Sequence, residues 1–478
     1  MAWKRKITVD DAAIGQGTTI TLRESLLPCA LVTVLFFLWG FAYGLLDVLN
    51  SHFQDALNIT ASMASGLSAA YFGAYFLCPL TISGWILRRY GFRVTFMTGL
   101  AVLVVGCLLF WPSGVHASFG GFCGSMFVVG AGLSTLETGA DNFLAICGPP
   151  RYSEIRLNLA QGIQGVGSFV APLLASRVFF AKTVNTEQGL KNVQWVYLGV
   201  ACFVALLIVL FYVVPFPEIT DADMGVQEHE IAGADNGPLR KQYNLFLGTF
   251  SQFCYVGAQV AVANYFINFC IESGYSASTS SNLLATGQGI YAANRFVAAG
   301  LMTSPKFKPR YMLAVYLGLC FVFGLAATLS SGKTSVAMLM VVLCFESCCF
   351  ATIFTLALRG LGRHTKRGGS FLVAAISGGA VIPPMTGAAA TANAGSPKAF
   401  HHAMAIPTAF YVLAWAFPIY VNVFQKDSMD EHRNTELNID HAHTVNVKEI
   451  ELERNASEAG VHDTSKEAHE RIERAEVS

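Results

Sequence analysis

Charge is what this chain has least of. Asp, Glu, Lys and Arg together make up 13% of its 478 residues, against about 25% in soluble domains. The few charges cancel to a net of zero, which removes any electrostatic case for a nucleic-acid partner. There is no CxxC pair and no His-rich cluster, which excludes a zinc site and a disulfide framework. The 12 cysteines instead sit mostly inside apolar runs (Cys78, Cys107, Cys202, Cys320, Cys344) and read as small buried hydrophobes. Adjacent Cys348 and Cys349 would point in different directions on a helix. Nucleotide-binding loops, nucleophile elbows and metal-ligand motifs are also missing, which counts against an enzyme and an ATP-driven pump. No cofactor is expected. What remains is 53% hydrophobic and rich in glycine, with 44 residues, as suits closely packed membrane helices.

The apolar residues fall into twelve runs, each near the roughly 20 residues that cross a bilayer. They cover about 26–50, 63–87, 93–112, 119–146, 157–180 and 193–215, then 243–271, 280–303, 311–330, 335–358, 370–392 and 400–424. This predicts an all-α membrane protein of two six-helix bundles, 26–215 and 243–424. Residues 1–25 precede them; Lys4-Arg5-Lys6 looks like the start of a signal peptide, but the first apolar run is too long and lacks a cleavage pattern. The acidic stretch 216–242, with Glu218, Asp221, Asp223, Glu228, Glu230 and Asp235, reads as a solvated linker. The charged tail 425–478 reads as disordered.

Basic residues set the orientation. Arg88, Arg89, Arg93, Arg151, Arg156, Lys306, Lys308, Arg310, Arg363, Lys366 and Arg367 all fall in loops on one side if the runs alternate. The opposite loops offer little beyond Lys182, Lys191, Lys333 and Lys398. The rich side, with both termini, is therefore expected in the cytosol. A shift of 211 residues overlays Arg156 on Arg367, Gly167 on Gly378 and Pro172 on Pro383, as a parallel repeat of the two halves requires.

Acids inside apolar runs are the first functional candidates, because a carboxylate there costs about 2.5–3.5 kcal/mol on insertion scales. Asp47 lies in the first run and Glu137 in the fourth. Asp141 is four residues beyond Glu137 and shares its helical face. It is either part of a proton path or a structural partner of Arg151 or Arg156. Glu346 sits at membrane depth in the tenth run, where structural pairing and cavity lining are equally open. The bland reading of Asp47, Glu137 and Asp141 is pairing with Arg295 or Arg359. Amides form a second set: Asn158, Gln161 and Gln164 on the fifth run, and Gln252, Gln259 and Asn264 on the seventh. They supply donors and acceptors for a neutral polyhydroxylated ligand, or hydrogen bonds between helices. Trp39, Phe36, Tyr71 and Tyr255 could stack on a sugar face.

The 6+6 layout, the basic turn Gly84-Trp-Ile-Leu-Arg-Arg-Tyr-Gly-Phe-Arg93 and the repeat resemble the major facilitator superfamily. Within it, Phe36-Phe-Leu-Trp-Gly40 with Asp47, Leu136-Glu-Thr-Gly-Ala140, Arg156-Leu-Asn-Leu-Ala-Gln161, Gln252-Phe-Cys-Tyr-Val-Gly-Ala-Gln259 and Thr352-Ile-Phe354 resemble the fucose permease (fucose–galactose–glucose:proton symporter) family. That resemblance implies a proton-coupled monosaccharide importer, with the proton as coupling ion. Asp47 and Glu137 match its proton-linked acids, and Gln161, Gln164, Gln259 and Asn264 fall at or near sugar-facing positions. The chain departs from the family at Leu46, Asp141, Asn142 and Phe350, which removes sugar hydrogen-bonding groups and puts fucose itself in doubt. A facilitator or exporter of another solute, and a nutrient sensor built on a transporter fold, are the competing readings. The expected partners are a sugar and the lipid of a plasma membrane, with the protein a monomer.

Overall fold

The computed structural model describes residues 20–56, 61–116, 118–174, 187–214, 216–232, 237–393 and 395–434. Among the described residues the secondary structure is helical throughout, with no strand. The first half contains α1 (Leu22–Ala56), α2 (Ala61–Cys78), α3 (Gly84–Val115), α4 (Phe119–Ile146), α5 (Ser153–Leu174) and α6 (Glu187–Val213). A short helix, α7 (Asp221–Ala232), follows. The second half contains α8 (Tyr243–Glu272), α9 (Ala277–Thr303) and α10 (Pro309–Leu329) as unbroken passes. Its last three passes are broken. One is α11 (Lys333–Glu346) with α12 (Cys349–Leu358), and the next is α13 (Thr365–Ala374) with α14 (Ile382–Ala392). The last strings together α15 (Ala399–Ala403), α16 (Ala405–Ala414) and α17 (Ala416–Val423), and α18 (Lys426–Asn434) closes the described chain. These form the two six-helix bundles expected from the hydropathy pattern. Eight spans among the described residues are long and apolar enough to cross a membrane. Large apolar side chains such as Ile82, Leu206, Val209 and Leu329 face outward, where lipid would cover them.

Local chemistry explains where several helices begin. Thr21 and Glu24 exchange backbone N–H to side-chain bonds and open α1, a reciprocal cap. Thr220 and Asp223 do the same for α7. The Oγ of Ser118 and of Ser276 accepts from Gly121 N and Thr279 N to start α4 and α9. Between α2 and α3 the chain runs through a π-helical turn, Pro79–Ser83, and then reverses at Gly91, whose φ of 80° suits glycine. Glu218 accepts from the amides of Phe92 and Arg93 just after that turn, so the acidic stretch after α6 caps the part of α3 that restarts after Gly91.

Two expectations fail at the end of the molecule that carries α18. The stretch 216–242 is not merely solvated: α7 packs against the Gly362–His364 turn, and Asp223, Gln227 and Glu228 are buried. The tail is not disordered from its start. Asp430 on α18 accepts from Lys308 Nζ at 2.5 Å and from Arg310 Nη2 at 2.9 Å, and Arg359 Nη1 donates to Met429 O at 2.7 Å. In both stretches, charges that look solvent-bound in sequence find partners in the short loops between passes. Residues 435–478 lie outside the described residues.

At this same end the bundles meet tightly. Glu154 at the start of α5 forms an ion pair with Arg359 beyond α12, both almost fully buried. Gly369 on α13 lies against the side chain of Asn142 on α4, and a Cβ there would fall 1.9 Å from Asn142 Oδ1. Only glycine permits that approach.

Candidate functional site

Between the bundles lies a cavity of about 470 Å³. Its lining residues sit from mid-helix towards the ends of the passes remote from α18. The first bundle contributes Trp39 from α1, Tyr71 and Tyr75 from α2, Glu137 from α4, and Gln161 and Gln164 from α5. The second contributes Gln259 and Asn264 from α8, Gln288, Tyr291 and Arg295 from α9, and Glu346 and Phe350 from the α11–α12 pass.

Glu137 is 6% exposed, and its Oε2 has no hydrogen-bond partner. The Tyr75 hydroxyl lies beside its carboxyl and in turn accepts from Tyr71 OH at 3.2 Å. No cation stands within ion-pair distance of Glu137 among the described residues. Such an acid cannot easily stay charged in an apolar wall, and a proton is the simplest way to neutralise it.

Arg295 lines the same cavity from the second bundle and also lacks an ion pair among the described residues. Its guanidinium donates to Ser347 O (3.0 Å), to Gln161 O (2.6 Å) and to Tyr291 OH (2.5 Å), and stacks on the Tyr291 ring at 4.4 Å. Gln259 Nε2 donates to the same Tyr291 hydroxyl at 2.5 Å. A phenol that already accepts twice has its own proton left to donate. Arg295 thus ties α9 to α5 across the cavity and orients Tyr291.

The sequence-derived candidates divide by depth. Glu137, Gln161, Gln164, Gln259, Asn264, Arg295 and Glu346 all reach the cavity. Asn158 does not: it is fully buried and donates to Glu154 O within its own helix. Tyr255 does not either, because its hydroxyl is taken up by Glu346 O at 2.7 Å beneath the wall. Asp141 is fully buried below Glu137 with neither carboxyl oxygen bonded. It pairs with neither Arg151 nor Arg156; the latter donates to Leu144 O, Ala145 O and Pro149 O and so caps the end of α4. Arg359, the other proposed partner of the membrane acids, holds Glu154 instead. Gln252 is buried away from the cavity, and Phe36 packs against Trp39 in the core. Asp47 lies on α1, but its side chain is outside the described residues.

Sequence reasoning missed Gln288, Tyr291 and Tyr75. Gln288, Tyr291 and Arg295 are three and four residues apart, so α9 presents one polar stripe in an otherwise apolar pass. That spacing was available and would have found them.

Residues 32–384 match the family described as Major Facilitator Superfamily. The L-fucose-proton symporter of Escherichia coli (strain K12) is 28% identical over 396 residues, covering 79% of this chain and 90% of that protein. The glucose/galactose transporter of Brucella abortus is 30% identical over 370 residues, covering 76% and 87%. Among solved structures, the major facilitator transporter FucP in the outward conformation superposes with a TM-score of 0.71 at 28% identity, covering 83% of this chain and 99% of that one.

Proposed function

Because the chain belongs to the major facilitator superfamily, a family of transporters, we propose that it imports a monosaccharide together with a proton by alternating access. The observation that carries this reading is the wall of the cavity. A buried acid with no ion-pair partner among the described residues, Glu137, shares its cavity with the amides of Gln161, Gln164, Gln259, Asn264 and Gln288 and the phenols of Tyr71, Tyr75 and Tyr291. Glu137, with Asp47 on the same bundle, would carry the proton. Gln161, Gln164, Gln259 and Asn264 would hydrogen-bond sugar hydroxyls, joined by Gln288 and the Tyr291 hydroxyl, while Trp39 and Tyr71 offer stacking faces. The relatives named for fucose, glucose and galactose support the same class of substrate.

The basic loops support an orientation with the α18 end in the cytosol, and a plasma membrane is the proposed location. The cavity then faces outward and the sealed end inward, the state in which sugar and proton load. One charge crossing 100 mV is worth about 2.3 kcal/mol, enough for roughly fifty-fold accumulation. The protein is taken to act as a monomer without a cofactor.

Uptake by purified protein in proteoliposomes tests the reading, with labelled L-fucose, D-galactose and D-glucose under an imposed pH gradient. Concentrative uptake of at least one sugar, abolished by a protonophore, is the expected result. Saturable uptake that stops at equal concentrations would make the protein a facilitator. Absence of saturable uptake for all three would remove the substrate class.

A further inference from the structure

One carboxyl in the second bundle is left over by this mechanism. Glu346 is the last residue of α11, at the point where the tenth pass breaks before resuming at Cys349. Broken helices expose carbonyls that need donors, and here three of them receive one from a side chain of a neighbouring pass. Asn294 Nδ2 donates to Cys344 O at 2.9 Å, Arg295 Nε to Ser347 O at 3.0 Å, and Tyr255 OH to the carbonyl of Glu346 itself. These donors come from α8 and α9, and the Glu346 side chain supplies none of them.

That side chain reaches the cavity wall and is otherwise fully buried. Tyr411 OH on α16 donates to its Oε1, and Oε2 has no partner. The titratable groups around it are Tyr411, Tyr255 on α8, Tyr291 on α9, Cys320 on α10 and Cys349 on α12. Phenols and thiols of ordinary acidity are neutral at physiological pH. Arg295 is the nearby permanent cation, and it is committed to Ser347 O, Gln161 O and Tyr291 OH rather than to the carboxyl. A negative charge on Glu346 would thus stand uncompensated in an apolar bundle.

We propose that Glu346 is a second proton-binding carboxyl, carried by the second bundle, so that each transport cycle moves two protons rather than one. In the described state the proton sits on Oε2 beside the cavity, taken from water on the open side. When the bundles rock and the α11–α12 break becomes accessible from the α18 end, water solvates the carboxylate and the proton leaves to that side. No bond other than O–H forms or breaks, and no electron moves. This proposal rests on the symport reading, and the two fail differently.

The test is a stoichiometry. Proteoliposomes holding the full chain are given a one-unit pH gradient at zero voltage, and the steady-state accumulation of whichever labelled sugar the uptake assay identifies is measured. Each coupled proton multiplies the limiting ratio by about ten. The expected ratio is about 100-fold for the natural protein and about 10-fold for Glu346→Gln. Tyr411→Phe, which keeps the carboxyl, retains the two-proton ratio and shifts its pH dependence. A ratio of about 10-fold in the natural protein overturns the proposal and leaves symport standing; no accumulation at all removes both. Infrared difference spectra of the purified, sugar-free protein between neutral and alkaline pH give a readout independent of transport. Loss of a protonated-carboxyl band in Glu346→Gln supports the assignment. An unchanged band pattern shows that Glu346 holds no exchangeable proton and sinks it. A merely structural tie between α11 and α16 would move stability but neither the ratio nor the band.

Discussion

The sealed end of this molecule and its cavity handle charge in opposite ways. At the sealed end the acids are partnered: Glu154 with Arg359, Asp430 with Lys308 and Arg310, and Glu218 with two backbone amides. In the cavity, Glu137 and Glu346 have no ion-pair partner among the described residues, and Arg295 binds neutral oxygens. Paired charges hold one arrangement of the bundles, whereas unpaired acids can exchange protons. Neutralising a paired group should therefore disturb conformation and stability. Neutralising an unpaired one should disturb coupling.

The largest effect is expected at the paired end. Removing one partner of a buried ion pair costs about 3–5 kcal/mol. Arg359→Met should lower the melting temperature of the purified protein and make Ser370→Cys more reactive to a probe added from the α18 side. The double variant with Glu154→Gln should recover much of that stability, since no buried charge is left alone. If Arg359→Met melts like the natural protein and stays closed, the pair does not hold the bundles.

Next comes the unpaired acid. Glu137→Gln should reduce sugar accumulation at least tenfold under a one-unit pH gradient, equivalent to about 1.4 kcal/mol. Labelled-for-unlabelled exchange should continue, and the melting temperature should not fall. Counterflow and gradient-driven uptake separate these outcomes. A loss of folding and of every transport mode together would put Glu137 in the paired class and erase the contrast.

Smaller effects are expected from neutral groups on the cavity wall. Gln161→Ala and Gln259→Ala each remove hydrogen bonds worth about 0.5–1.5 kcal/mol, so the apparent sugar affinity should fall roughly two- to twelve-fold. Isothermal titration with the transported sugar measures this. Wild-type affinity in both variants would exclude the amides from binding.

The smallest change concerns α18. Burial alone raises the Asp430 carboxyl, but hydrogen bonds and charge from Arg310 and Lys308 outweigh it and hold the group below the ordinary carboxylate range. A depressed value stabilises docking above the unfolded pKa, and that contribution is lost as pH falls through the folded one. Protection of 426–434 from hydrogen exchange should therefore persist at neutral pH and decline in acid below about pH 4. Asp430→Asn should show the loosened pattern already at neutral pH, an effect under about 1 kcal/mol for a partly exposed pair. Equal protection in both proteins at all pH values would show that Asp430 does not fasten α18.

Much of the architecture was legible because hydrophobic runs and basic loops are one-dimensional signals. The cavity was legible only in part, and its misplacements share a form. Asn158 lies three residues before Gln161, Tyr255 four before Gln259, and Asp141 four beyond Glu137. Each is about one turn nearer the sealed end than a neighbour that lines the cavity. Helical periodicity tells which face a residue occupies, but the depth at which a cavity stops depends on how two bundles close, through contacts such as Gly369 on Asn142. Breaks such as Ser347–Cys348 were likewise hidden, because neither residue is a helix breaker and the carbonyls they free are capped by Asn294 and Arg295 from a distant pass. Partners far along the chain, such as Arg310 for Asp430 at a separation of 120 residues, also explain why α7 and α18 looked solvent-bound.

That shared one-turn offset places the floor of the cavity just below Glu137. An aqueous vestibule conducts, so the transmembrane voltage would fall mainly across the sealed septum and not across the full bilayer. A drop of 100 mV over half the roughly 30 Å hydrocarbon thickness doubles the local field. Asp141, one turn (about 5.4 Å) inside that septum, would sit where the field is strongest. A proton arriving at Glu137 would have crossed little of the voltage, so the electrical work of transport would be concentrated in the rocking of the septum past its cargo.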